Sequence, residues 1–406
     1  MAPEPDATPD SALPPEGPHV SALWLGLPAL ALAFAITTAS ALVPLAIERR
    51  GGSPLAIGLV VSGEGLIALL LPLWIGPLSD RTRSALGGRL PFVIAGAVLG
   101  ALALALLPLC TSFGGIAALM LVFYVGYFVY YPAYRALYPE LVPAARFGRA
   151  QGVQSLLREV GLVLALTGSP LLYTASAPAP FLASAGVLAL VTALFVLRLR
   201  RHVSLVPAPA LPSARRLPSS PVRRVLLANA LFELALSGLK SFIVLFVVVG
   251  TGRSPAAASG LMSIVAVVAV VAAPAAGWLG DRYGATRVTR AALLVYASGM
   301  LLPSFTQSLW VLVPAMPLVG FGGTVVMTLS YTLVARAAGN ESPGASAGWY
   351  EFSRGVGVIL GPIVTGAAID GLRPLFAATR GYAALWPVQA IALLLAVPLL
   401  PRERRS

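Results

Sequence analysis

Twelve stretches of this chain read as membrane spans, at about 22–46, 55–78, 91–110, 115–138, 151–173, 180–198, 225–250, 256–279, 291–305, 309–335, 346–368 and 382–400. A hydrocarbon layer takes roughly 20 apolar residues per helix, and irregular backbone cannot face lipid, so each stretch is expected to be a helix. Composition agrees, because 58% of the 406 residues are hydrophobic and only 11% are charged, too few to coat a soluble domain of that size. The expected fold is an all-α membrane protein with twelve transmembrane helices.

The formal charge of +13 does not form one patch. With even connections on one side, 19 of the 28 basic residues gather there, among them Arg83, Arg89, Arg146, Arg149, Arg215, Arg216 and Arg287. The other side holds only Arg49, Arg50, Arg253, Arg373 and Arg380. The positive-inside bias therefore places both termini in the cytoplasm of a multi-pass cell-membrane protein, and charge that follows topology gives no nucleic-acid partner. Cys110, the single cysteine, cannot form an intrachain disulfide. Residues 1–20 are Pro-rich and acidic, with no basic region before the first apolar run. They are expected to be a disordered cytoplasmic tail and not a signal peptide. The Pro/Arg/Ser stretch 199–224 is expected to link a bundle at 21–198 to one at 225–401, with 402–406 as a short tail.

An internal repeat supports that division. Gly76, Asp80 and Arg81 leave the second span as Gly-x-x-x-Asp-Arg, and Gly277, Asp281 and Arg282 leave the eighth span in the same way 201 residues later. Gly148, Gly152, Arg158 and Gly161 recur as Gly344, Gly348, Arg354 and Gly357 at an offset of 196. Both loops resemble the signature between helices 2 and 3 of the major facilitator superfamily. The resemblance implies two pseudo-symmetric six-helix bundles, a substrate near the midplane between them and alternating access by rocking. Asp80 and Asp281 are expected to accept bonds from the N-terminus of a neighbouring helix, and Arg81 and Arg282 to pair across the cytoplasmic face, together forming a gate. Gly161, Gly168, Gly357, Gly361 and Gly366 fall at separations that suit close helix packing.

Ionisable residues inside spans mark pathways or internal pairs. Glu351 and Arg354 are three apart and can neutralise each other. Arg158 and Glu159 are neighbours, pointing roughly 100° apart, and are expected to find separate partners. In the seventh span Asn229, Glu233, Ser237 and Lys240 share one face. Glu233 is the first choice for a proton-coupling group, with Glu64, Glu159 and Glu351 as the others. Lys240, the only lysine, is its expected charge partner or a substrate contact, and Arg158 and Arg354 are expected to be structural charges.

The fourth span carries Tyr124, Tyr127, Tyr131 and Tyr134 at steps of three, four and three, one face of phenols suited to sugar rings or amphipathic solutes. In the tenth span Thr324, Thr328, Tyr331 and Thr332 offer a comparable edge. The run from Gly76 through Ser79, Asp80, Arg81, Gly88 and Arg89 to Pro91 and Phe92 resembles the signature of sucrose/proton symporters and related glycoside transporters. Pro132-Ala133-Tyr134-Arg135-Ala136-Leu137 and Glu140-Leu141 resemble that family's motif after helix 4. The resemblance implies a sugar-binding role for Arg135. The helix-4 acid of that family is absent, since Val122 to Gly126 holds no carboxylate.

Three readings stay open. The first is a secondary transporter of a small organic solute, a sugar or glycoside by the motifs, coupled to protons and acting as a monomer. The second is a proton-driven exporter of drugs or metabolites. Against it, Gly168-Ser169-Pro170 lacks the double glycine of the antiporter motif, and Gly361-Pro362 lies in the eleventh span. The third is a non-transporting sensor or scaffold. An enzyme is not expected. There is no Walker loop and no metal-spaced histidine pair, and no nucleophile and base can be matched; no cofactor is implied.

Overall fold

The computed structural model describes residues 21–82, 84, 86, 88–142, 146–200, 219–338 and 343–401. The tails at 1–20 and 402–406 and most of the linker lie outside the described residues. The N-terminal half comprises α1 (Ala22–Glu48), α2 (Pro54–Leu70), α3 (Pro72–Arg81), α4 (Leu90–Leu106), α5 (Phe113–Leu141), α6 (Phe147–Ala175) and α7 (Ala179–Leu199). The C-terminal half comprises α8 (Ser220–Leu245), α9 (Pro255–Tyr283), α10 (Ala285–Leu301), α11 (Leu309–Ala338), α12 (Pro343–Gly371) and α13 (Leu385–Ala396). α8 starts five residues before the expected bundle boundary at 225, because Ser219 and Pro221 open the helix ahead of the apolar run.

Among the described residues ten helices are long and apolar enough to cross a membrane, and the bent pair α2 and α3 makes an eleventh. α10, with 17 residues, is too short to be counted by itself and is extended by the turn Leu302–Ser304. It packs in the twelfth place, against α11 and α13. The second span, expected to be continuous, is broken between Leu70 and Pro72 by a bend of 43°. Pro72 starts a helix well but has no N–H to continue one.

The repeat is realised in three dimensions. α1 lies along α6, and α8 lies along α12. A Cβ on Gly161 would come to 3.0 Å from the carbonyl carbon of Leu30, and one on Gly357 to 2.8 Å from the amide of Leu234, so the equivalent glycines let equivalent helix pairs touch through backbone. α2 and α9 also begin alike. Ser53 caps α2 by accepting from the Ala56 N–H at 3.2 Å, Ser254 caps α9 by accepting from Ala257 at 3.3 Å, and proline follows each serine.

The halves meet along α2 and α12, along α6 and α9, and along α1 and α8. We call the face carrying the starts of α1 and α8 the terminal face, and the opposite one the far face. One core cluster runs through both halves from Ala35–Ile47 of α1 to α8, α9 and α12. A second cluster, nearer the terminal face, is confined to the N-terminal half around Leu25, Tyr134, Phe195 and Leu199. The α2/α12 seam runs from Pro54 against Gly366 to Leu69 against Gly355, where α2 ends. α3 then turns onto α5 of its own half, leaving Leu73, Trp74 and Leu78 exposed. The halves are therefore fused toward the far face and part toward the terminal face.

Candidate functional site

Where the halves part, two ion pairs stand exposed at the middle of long helices. Arg158 Nη2 meets Glu159 Oε1 at 2.6 Å, with the two side chains 49% and 39% exposed. Arg354 Nε meets Glu351 Oε2 at 2.8 Å, with 39% and 61% exposed. Each arginine is the eleventh residue after the start of its 29-residue helix, so both sit at bilayer depth. Ionised groups at that depth belong to a wet cleft and not to lipid. The pair at Glu351 and Arg354 is the one that the spacing gives. The pair at Arg158 and Glu159 corrects the expectation of separate partners: the long guanidinium arm folds back to its neighbour, which a 100° Cα separation does not forbid.

The tyrosine face divides. Tyr124 is buried and donates to the Val61 carbonyl at 3.3 Å. Tyr134 is buried and donates to Leu25 at 2.7 Å, beside the Tyr138 hydroxyl at 2.9 Å. These two phenols tie α5 to α2 and α1 and have no hydroxyl free for solute. Tyr127 and Tyr131 are half-buried and stacked at 5.8 Å with 15° between the rings. Tyr127 lies in the field of Glu64, Arg158 and Arg354 at once, which brings both halves to one spot.

Across the cleft Tyr331 is exposed and meets Tyr350 edge-on at 5.5 Å. Tyr350 lies in the field of Glu233, Glu351, Arg354 and Arg158. Sequence reasoning missed Tyr350; its signal was its position one helical turn before Arg354. Arg135 is exposed and donates to Gln154 at 2.7 Å and Gln151 at 3.2 Å on α6.

α8 presents the expected polar face, and it turns toward α12. Asn229 Nδ2 donates to Ser353 Oγ at 2.9 Å, the Glu233 Cβ abuts Gly357, and Ser237 Oγ donates to the Gly357 carbonyl at 3.2 Å. Glu233 is buried, and among the described residues no ion pair joins it to Lys240. The expected pair fails because seven residues span two turns, about 10.5 Å along the axis. Glu64, at the edge of α2, accepts from Ser40 Oγ at 3.4 Å.

At the terminal face the side chain of Asp80 lies outside the described part of the structure, and Arg81 and Asp281 are exposed. Arg282 does not reach across the face. Its guanidinium sits 5.5 Å over Trp278 and 5.6 Å over Tyr283 of its own helix, where the rings hold a cation that would otherwise face open water. Gly168 is also corrected, since nothing lies within 4 Å of where its Cβ would be, whereas Gly361 and Gly366 do pack against backbone.

The comparisons with known proteins fit this architecture. The Multidrug resistance protein MdtG of Citrobacter koseri is 27% identical over 382 residues, covering 89% of this chain and 91% of that protein. The Multidrug resistance protein B homolog of Mycobacterium tuberculosis is 31% identical over 133 residues, which span 32% of this chain and only 24% of that protein. Among solved structures, a bacterial homolog to the human lysosomal transporter Spinster, in an inward-facing and unoccupied conformation, superposes with a TM-score of 0.76 at 15% identity, covering 93% of this chain and 95% of that one. The nucleoside transporter NupG superposes at 0.71 with 17% identity, covering 92% and 97%. A family model described as Major Facilitator Superfamily matches residues 23–362 and again 225–406. A duplicated bundle of membrane helices, parted around a charged and aromatic cleft, is the build of a membrane transporter, and the chain belongs to the Major Facilitator Superfamily.

Proposed function

We propose that this chain exports amphipathic organic solutes from the cytoplasm in exchange for protons, with the terminal face cytoplasmic and the cleft open toward the cell interior. The observation that carries the reading is the cleft lining: two exposed Arg–Glu pairs lie among the Tyr127/Tyr131 stack and the Tyr331/Tyr350 pair. Aromatic faces receive the apolar body of such a solute, and the carboxylates receive a positive or hydrogen-bonding group. The likeness to the Multidrug resistance protein MdtG over nearly its whole length supports a drug-like solute. The gathering of arginines at the terminal face supports the orientation. Glu233, buried between α8 and α12 within the field of Arg354, is the coupling carboxylate in this reading, with Glu351 its partner in exchange.

A second reading, sugar uptake, draws on one geometric fact. Arg89 and Glu140, which belong to the two segments resembling sucrose symporters, form an ion pair. Everted membrane vesicles separate the two. Accumulation of ethidium or tetraphenylphosphonium on imposing an interior-acid gradient, lost in Glu351→Gln and Glu233→Gln, supports export. Gradient-driven movement of sucrose or maltose with no movement of the cations favours the second reading.

A further inference from the structure

At the far face a carboxylate of one half caps a helix of the other. Asp370, at the end of α12, accepts a hydrogen bond from the Leu55 N–H at 2.9 Å. Leu55 is in the first turn of α2, where amide hydrogens have no partner inside the helix and the helix dipole is positive. Backbone supports the contact from both sides. A Cβ on Gly366 would lie 2.8 Å from the Pro54 carbonyl carbon, and one on Gly58 2.8 Å from that of Pro362.

The repeat says what this contact is for. The offset of 201 that relates the two Gly-x-x-x-Asp-Arg loops carries Leu55 to Ala256, in the first turn of α9, and Gly58 to Ser259. The offset of 196 carries Asp370 back to Thr174, near the end of α6. The α6/α9 seam is thus the pseudo-symmetric copy of the α2/α12 seam. Where Gly58 meets α12 backbone, Ser259 donates to the Thr167 carbonyl of α6. At the carboxylate position the copy differs, for the Thr174 hydroxyl bonds the Leu171 carbonyl of its own helix at 2.5 Å. Both seams are packed, but among the described residues only the α2/α12 seam carries a charge on the partner's helix terminus.

We infer that Asp370 is a one-sided latch that holds the far face shut, and that its bond to α2 must break for the halves to open there. It belongs to the far face and does not depend on which solute the cleft takes. When α2 withdraws, the carboxylate stays on the half that carries Arg373 and Arg380, and these three share the surroundings of Tyr382 with Glu48 of the opposite half.

The test is a distance measurement between spin labels on the full chain in lipid nanodiscs, with Cys110 replaced by serine. Labels at Leu109→Cys and Leu375→Cys, exposed ends on opposite halves of the far face, report its opening. Labels at Leu197→Cys and Leu395→Cys report the terminal face. A charge-assisted bond of this kind biases an equilibrium by roughly tenfold or more. Asp370→Ala is expected to raise the far-open population by about that factor. Asp370→Asn, which keeps an oxygen acceptor, is expected to shift it less. Thr174→Asp, which places a carboxylate at the equivalent point of the other seam, is expected to lower it below wild type. Unchanged distances in Asp370→Ala overturn the latch, as does a shift equally large in Asp370→Asn, because the bond to Leu55 would then not be what holds the face.

Discussion

The guanidinium of Arg89 meets the carboxylate of Glu140 at 2.5 Å and at the same time donates to Ser79 Oγ at 3.1 Å. Three segments are joined at one point: the end of α3, the start of α4 and the end of α5. The side chains of Arg89 and Glu140 are 7% and 23% exposed, so removing the carboxylate takes a charge-assisted bond from a buried guanidinium. Glu140→Gln is expected to lower stability by about 2 kcal/mol. The check is thermal unfolding in detergent, with Arg89→Gln and the double variant closing a mutant cycle whose coupling term is clearly above zero.

The repeated glycines divide by what surrounds them. Gly161 and Gly357 face backbone of α1 and α8, whereas Gly152 and Gly348 face open space. Alanine at either of the first two is expected to destabilise by about 2 kcal/mol or more through overpacking. Alanine at either of the second two is expected to be neutral or slightly favourable, since it removes glycine's entropy from a helix. Unfolding midpoints of the four single variants decide it; a uniform response would contradict the packing described.

This contrast shows how far the chain could be read without coordinates. The equal spacing of Gly148, Gly152, Arg158 and Gly161 with their counterparts revealed the duplication, and apolar run length revealed the spans, because both depend on properties that each residue carries by itself. Which glycine touches a neighbour depends on helix rotation, and no one-dimensional spacing holds that. The same applies to the tyrosines. A step of three or four places four rings on one side of α5, but the outer two meet neighbouring helices, so Tyr124 ends on a carbonyl of α2 and Tyr134 on one of α1. Asp370 was invisible for another reason: it acts on backbone, which leaves no partner residue type to search for.

The division of tyrosines gives a second kinetic contrast. Tyr134→Phe removes a hydroxyl that serves the Leu25 carbonyl, and is expected to cost about 1 kcal/mol of stability while leaving the KM for solute unchanged. Tyr127→Ala removes a stacked ring from the cleft and is expected to raise KM several-fold with little change in unfolding. Transport and melting curves measured on the same preparations test both.

Ser353 is the partner through which α12 holds Asn229. The Asn229 Oδ1 atom is already buried without a protein partner. In Ser353→Ala the amide loses its remaining bond, and an expected loss of about 1 to 2 kcal/mol follows from leaving both ends of a buried amide unmet. Asn229→Leu in the same background is expected to recover part of that loss, which thermal unfolding of the single and double variants measures.

The bend before Pro72 has a mechanical meaning. Up to Leu69, α2 lies in the seam against α12 of the opposite half. Beyond the bend, α3 rides on α5 and moves with its own half. Ten residues at 1.5 Å each give α3 an arm of about 15 Å, so a tilt of about 20° at the bend carries its end roughly 5 Å. The bend thus divides the second span into a part seated in the seam between the halves and a part, ending at Arg81, seated on its own half at the terminal face.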